Sequence, residues 1–89
     1  MGKSNLHYAY IVRCSDNSLY SGYTTDTFRR TQEHNSGLGA KYTRARRPVE
    51  LVYFESFDNR SEAMKREAQF KKLTHTEKEL LIKTKNSGA

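Results

Sequence analysis

Two short tyrosine-rich runs, His7 to Arg13 and Leu19 to Tyr23, flank the polar turn Ser15-Asp16-Asn17, and a stretch with almost no apolar residues follows at once. The alternation of the runs around such a turn reads as a β-hairpin. The first strand sets Tyr8, Tyr10 and Val12 on one face and Ala9 and Ile11 on the other. The second points Tyr20 to one side and Leu19, Ser21 and Tyr23 to the other; Gly22 within it marks a bulge or the close approach of another group. Thr24-Thr25-Asp26 then offers cap residues for a helix over about Thr27 to Asn35, which Gly37 can end. Phe28 is the only apolar residue of that helix, so no ordinary hydrophobic stripe can anchor it. Some of its inward positions must be polar. Arg30 and His34 lie one turn apart on a shared side.

The remainder alternates loop, strand and helix. Residues 36 to 48 form a loop holding Gly37, Gly39, Pro48 and a basic cluster, Lys41, Arg44, Arg46 and Arg47, with Tyr42 among them. Val49 to Phe57 is a nearly continuous apolar run, the pattern of a strand covered on both faces, and is expected at the centre of the core. Asn59-Arg60-Ser61-Glu62 resembles a capping box and opens a second helix to about Leu73. Its apolar face is Ala63, Met64, Ala68, Phe70 and Leu73, and Glu67 falls in the middle of it. A clearer capping box, Thr74-His75-Thr76-Glu77, starts a third helix carrying Leu80, Leu81 and Ile82. The order is therefore β-β-α-β-α-α, with residues 1–6 a loose N-terminus, 7–83 one domain and 84–89 a tail.

Length and charge limit the function classes. Eighty-nine residues make one domain with a modest core. A 35% hydrophobic fraction, with no apolar run near the ~18 residues of a membrane span and no signal-peptide core, makes the cytoplasm the expected location and a membrane role unexpected. Cys14 is alone, which excludes an internal disulfide and a cysteine-based zinc cluster; it reads as a small residue at a strand end. The formal charge of +6 points to a polyanion partner, chiefly because the positive residues crowd between Lys41 and Arg47 while the acids are scattered. His7 and His75 have no evident role.

Each chemically capable residue has two readings on the sequence alone. A glutamate such as Glu67 on an apolar face must be paired, protonated, at the edge of the face, or bound to a metal. Arg30 and His34 form either a surface pair of bases or a phosphate-facing pair in which the guanidinium fork meets a phosphodiester and His34 accepts or relays a tyrosine proton. Tyr10 and Tyr20 are either core aromatics with polar tips or site hydroxyls. The Lys41–Arg47 segment is either a solvated charge run or a phosphate-tracking loop with Tyr42 available to stack.

The ordered set Tyr8-Ala9-Tyr10, Tyr20-Ser21-Gly22, Arg30, His34 and Glu67 resembles the GIY-YIG nuclease domain over residues 7 to about 82. It is most similar to small stand-alone bacterial members and to the catalytic domain of the junction-cutting branch, which share segments of the Gly39-Ala40-Lys41 and Arg47-Pro48-Val49-Glu50 type. The signature has glycine where this chain has Tyr8, and isoleucine where it has Ala9 and Ser21. Tyr8 is thereby expected to crowd the mouth of the site or stack on DNA. The resemblance implies an α+β sandwich, a three-stranded antiparallel sheet flanked by helices. It further implies a DNA endonuclease with one Mg²⁺ or Mn²⁺ on Glu67, acting in repair or recombination. Tyr10 becomes the general-base candidate, Tyr20 a hydroxyl that positions water or phosphate, Arg30 the phosphate-charge stabiliser and His34 its helical companion. Branched or structured DNA is the expected substrate, and either its shape or a partner protein must choose the cleavage point, because so small a domain has little surface for reading bases. A catalytically idle nucleic-acid-binding module of the same fold is the alternative, and a protein-interaction adaptor a third.

Overall fold

The structure, a computed structural model, describes residues 6–87. Three antiparallel strands, β1 (His7–Arg13), β2 (Leu19–Thr24) and β3 (Glu50–Phe57), form a sheet in the order β2-β1-β3. Helices α1 (Thr27–Asn35), α2 (Lys41–Arg44), α3 (Arg60–Lys72) and α4 (His75–Ser87) pack on it. The α+β architecture and the strand-helix order match the sequence pattern; the additional α2 is a single turn within the expected loop. The last turns of α4 occupy the start of the expected tail. Residues 1–5 and 88–89, which carry the rest of both expected termini, lie outside the described residues. No helix among those described is long and apolar enough to cross a membrane.

Local chemistry fixes most boundaries. Asn17 takes a left-handed φ of 69° in the hairpin turn, and the Asp16 carboxylate accepts from the Ser18 amide. Asp26 caps α1 through the Arg29 amide, and Asn59 caps α3 through the Glu62 amide. α1 ends in a Schellman motif: Leu38 N–H donates to Glu33 O and Gly37 N–H to His34 O, with Gly37 at φ +88°. Thr74 and Glu77 cap each other's backbone amides at the start of α4.

The sheet has a core on each face. Ala9 and Ile11 of β1 pack with Leu19, Tyr53, Phe70 and Ile82 beneath α3 and α4. Tyr10, Val12 and Cys14 pack with Val49 on the face that α1 covers. The centre is therefore β1 and not the Val49–Phe57 run, as the sequence suggests: β3 is an edge strand, and Tyr53 is its only buried residue. A bulge explains the misleading pattern. The register slips between Ile11↔Tyr53 and Val12↔Leu51, leaving Val52 as the extra residue, so Val52 and Tyr53 both serve the Phe70 core while Leu51 serves the other. Lys85 shields this edge, donating to Phe54 O at 2.9 Å with its ammonium over the Phe54 ring.

Two further expectations change. Met64 and Ala68 of α3 are exposed, and the inward stripe is Ala63, Glu67 and Phe70 with Arg66 beside them. Leu80 of α4 faces solvent while Ile82 is buried. Phe70, wholly buried and edge-on to Tyr53, is the largest side chain fixing α3 to the sheet. Phe70→Ala is expected to lower the unfolding free energy by about 3–5 kcal/mol in urea denaturation; a loss below about 1 kcal/mol would show that α3 is held by something else.

Candidate active site

The missing hydrophobic stripe of α1 is replaced by one buried histidine. His34 is 0% exposed and joins two hydrogen bonds of 2.7 Å, from Nε2 to the Tyr10 hydroxyl and from Nδ1 to Thr43 Oγ1. Directions follow from Thr43. Its hydroxyl proton goes to Ala40 O at 3.0 Å, so Oγ1 accepts from His34 Nδ1–H, which leaves Nε2 to accept the Tyr10 O–H. The chain Tyr10→His34→Thr43→Ala40 O fixes one tautomer.

Two glycines make room for this chain. Tyr10 stands opposite Gly22 in the hairpin, and a Cβ there would lie 2.5 Å from the phenol Cζ. A Cβ at Gly39 would come within 2.8 Å of the His34 Cα and strike its ring. Gly22 is thus the close-approach glycine that its place in a strand suggested, and the approaching group is the Tyr10 ring.

The electrostatics hold both partners neutral. Burial pushes Tyr10 up to about 12, although Arg30 beside its hydroxyl favours the phenolate. Burial and the same arginine push His34 below its ordinary value. Arg30 itself stays firmly charged: burial opposes the charge, but hydrogen bonding to Glu33 (2.9 Å) and to Tyr10 outweighs it.

Around this pair the structure gathers the other expected residues. Tyr20 sets its ring edge-on to His34 and stacks on Tyr42 at 5.9 Å. Glu67 on α3 adds to the field at Tyr10. Its side chain is 17% exposed, and its ion pair is with Lys71, one turn along, at 3.3 Å. So Glu67 is half-buried, and among the described residues its ion pair is with Lys71 on its own helix. Among the described residues no three of His, Cys, Asp and Glu cluster as a ready-made metal cage. A lone carboxylate fits a hard cation that keeps most of its water, with substrate phosphate oxygens completing the shell.

The basic residues of the loop differ in their partners. Arg47 donates to Arg44 O and Asn35 O, tying together the carbonyl ends of α2 and α1. Arg46 pairs with Asp16 at 3.1 Å and lies 3.9 Å over the Tyr42 ring. Lys41 and Arg44 project outward. Tyr8 is placed edge-on to Phe54, on the same sheet face as Tyr10. His7 stacks on Tyr23 and His75 pairs with Glu79, both away from His34.

Sequence reasoning missed Thr43, Lys71 and Lys78. Only Lys71 carried a signal, its i+4 spacing from Glu67. Asn35 was missed as well: its amide clasps both Val49 N–H and Val49 O, fixing the end of α1 to the approach of β3.

This fold, in which α1 brings an arginine and a histidine, and α3 a carboxylate, to the tyrosines of the β1–β2 hairpin, is of the nuclease type. The profile of the GIY-YIG catalytic domain matches residues 6–80, and the chain belongs to that family. It is 56% identical over 79 residues to a UPF0213 protein of Listeria innocua, covering 89% of this chain and 88% of that one. It is 59% identical over 78 residues to a UPF0213 protein of Haloquadratum walsbyi, covering 88% of each. Two solution NMR structures are similar: the UPF0213 protein BH0048 from Bacillus halodurans (TM-score 0.59, 48% identity, 92% of this chain and 87% of that one) and the protein EF2693 from E. faecalis (0.61, 51%, 97% and 92%).

A neutral buried histidine has a pH signature. Below about pH 6.5 the unfolded chain protonates its histidine while native His34 resists, so the stability present above that pH is lost as pH falls toward the depressed native value. Denaturation between about pH 7.5 and 5.5 should therefore show a falling unfolding free energy, and His34→Gln a flatter profile. Identical slopes would mean that His34 titrates normally.

Proposed function

We propose that this chain is a divalent-metal-dependent endonuclease that hydrolyses DNA phosphodiester bonds, with Tyr10, Tyr20, Arg30 and His34 as its catalytic residues and Glu67 as its metal ligand. The observation that carries the reading is the directed chain from Tyr10 through His34 to Thr43, beside a charged guanidinium. A phenol held up to about 12 is no base by itself. It becomes one when its own proton passes to His34 Nε2 as it takes a proton from the attacking water. Thr43 keeps Nε2 as the receiving nitrogen throughout. Tyr20, half-exposed beside His34, orients the water or the phosphate.

Arg30 meets the non-bridging oxygens, where charge grows during in-line attack. Mg²⁺ or Mn²⁺ on Glu67, as one ion, would supply Lewis-acid stabilisation of the phosphoryl oxygens and the leaving oxygen. The products would carry 5′-phosphate and 3′-hydroxyl ends. Structured or branched DNA, chosen by shape or by a partner protein, suits a domain with little base-reading surface. Repair or recombination in the cytoplasm is the setting this reading favours. The simultaneous presence of Tyr10, Tyr20, Arg30, His34 and Glu67 favours an enzyme over an idle binding module.

Arg30→Ala is expected to lower the single-turnover cleavage rate by ~10²–10³ and to change the salt dependence of binding by one contact at most. Glu67→Ala should abolish cleavage with Mg²⁺ yet bind DNA in EDTA like the parent. Parental cleavage by either variant would remove that residue from the mechanism.

The loop residues divide by geometry. Neutralising Lys41 and Arg44 together should flatten the plot of log affinity against log salt on duplex DNA by roughly 1.8. Arg47→Ala, by releasing two helix ends, should instead lower the unfolding temperature. A parental salt slope in the first variant would show that the loop does not track phosphates.

A further inference from the structure

On the outer side of β2 an open groove of about 330 Å³ runs between the two helical layers, lined by Leu19, Tyr20, Ser21, Tyr42, Lys71 and Lys78. Its charges are all of one sign. Lys71 shares Glu67 at 3.3 Å, and its ammonium stands 5.9 Å from the centre of the Tyr20 ring. Lys78, on α4, is half-buried and has no carboxylate partner among the described residues; the charge that acts on it is Lys71. Burial first, and that second ammonium next, push Lys78 below its ordinary value. At this partly dry groove the Lys71 ammonium thus disfavours the charge of Lys78. A third observation points the same way. Ser21 is 2% exposed, and its Oγ is the buried side-chain polar atom without a hydrogen-bond partner among the described residues. It stands where the family signature has isoleucine, so an apolar position has been given a hydroxyl at the wall of a cationic groove.

We propose that this groove is a phosphate-binding subsite for the nucleic acid, in which Lys71 and Lys78 grip one phosphate group while Arg30 and Tyr10 address the next. It rests on the nucleic-acid reading of the site. Lys71 links the two positions, because its ammonium pairs with Glu67 while its side chain lines the groove. Tyr20 is common to both, edge-on to His34 on one side and walling the groove on the other. A bound phosphate converts the Lys71–Lys78 repulsion into two attractive contacts. The phosphate could come from a backbone diester or a terminal monoester; the chemistry of recognition is the same.

The test is a titration of the full chain with inorganic phosphate, followed by amide NMR, in the parent and in Lys78→Gln. Saturable shifts centred on Tyr20, Ser21, Lys71 and Lys78, lost in the variant, are expected; shifts scattered over the surface, or retained in Lys78→Gln, would overturn the subsite. In EDTA, binding is then compared for duplexes that differ only in a 5′-phosphate or 5′-hydroxyl. A diester source predicts that Lys78→Gln weakens both alike and flattens the salt slope by about 0.9. A monoester source predicts weakening of the phosphorylated duplex alone. Unchanged affinity for both overturns the proposal. The unfolding midpoint of Lys78→Gln should hold or rise, because a repulsion is removed; a fall would make Lys78 a structural residue and overturn it too. A parent that binds phosphate here but never cleaves DNA would contradict the nuclease reading and leave the subsite standing.

Discussion

The hydrogen bond between the Tyr10 hydroxyl and His34 Nε2 is the constraint from which the rest of the molecule can be reasoned. A buried phenol and a buried imidazole each carry a desolvation cost of a few kcal/mol when unpartnered. Pairing them, with Thr43 closing the far side of the ring, satisfies both. That arrangement attaches α1 to the sheet without an apolar stripe, requires glycine at 22 and 39, and fixes where the loop after α1 must turn. Stability and the candidate chemistry thus depend on the same atoms.

The consequence is a site whose protonation states are set in advance. Burial keeps Tyr10 a phenol and His34 a neutral imidazole, while Arg30 retains its charge through Glu33 and Tyr10. The shared proton therefore rests on the Tyr10 oxygen, with Nε2 as its acceptor. Charge repulsion is tolerated nearby, at Lys71 and Lys78, where no core packing depends on it.

How much of this the sequence disclosed depended on whether the signal was local. The hairpin, the caps at Asp26, Asn59 and Thr74, and the Gly37 stop are written in neighbouring residues, and each forms as the pattern implies. The oddity of α1, a helix with Phe28 as its only apolar residue, rightly required polar inward positions; in the structure Phe28 itself faces solvent and His34 goes inside. The Val49–Phe57 run misled because a bulge gives two consecutive residues the same face, which mimics a strand buried on both sides. Thr43 was hidden inside a basic loop, since nothing in Tyr42-Thr43-Arg44 shows that the middle residue is wholly buried. Lys78 was invisible for a different reason: its burial and the nearby Lys71 charge are properties of how α3 and α4 meet. Glu67 was legible as an anomaly, but its Lys71 pairing needed the helix register.

The most direct test of the central claim is single-turnover cleavage of branched DNA by Tyr10→Phe, with Mg²⁺ and saturating protein. The substitution removes one oxygen and keeps the ring over Gly22. If the phenol relays the water's proton to His34, the variant should fold, bind DNA in EDTA as the parent does, and lose about 10²–10⁴ in rate. Cleavage at close to the parental rate would contradict the account.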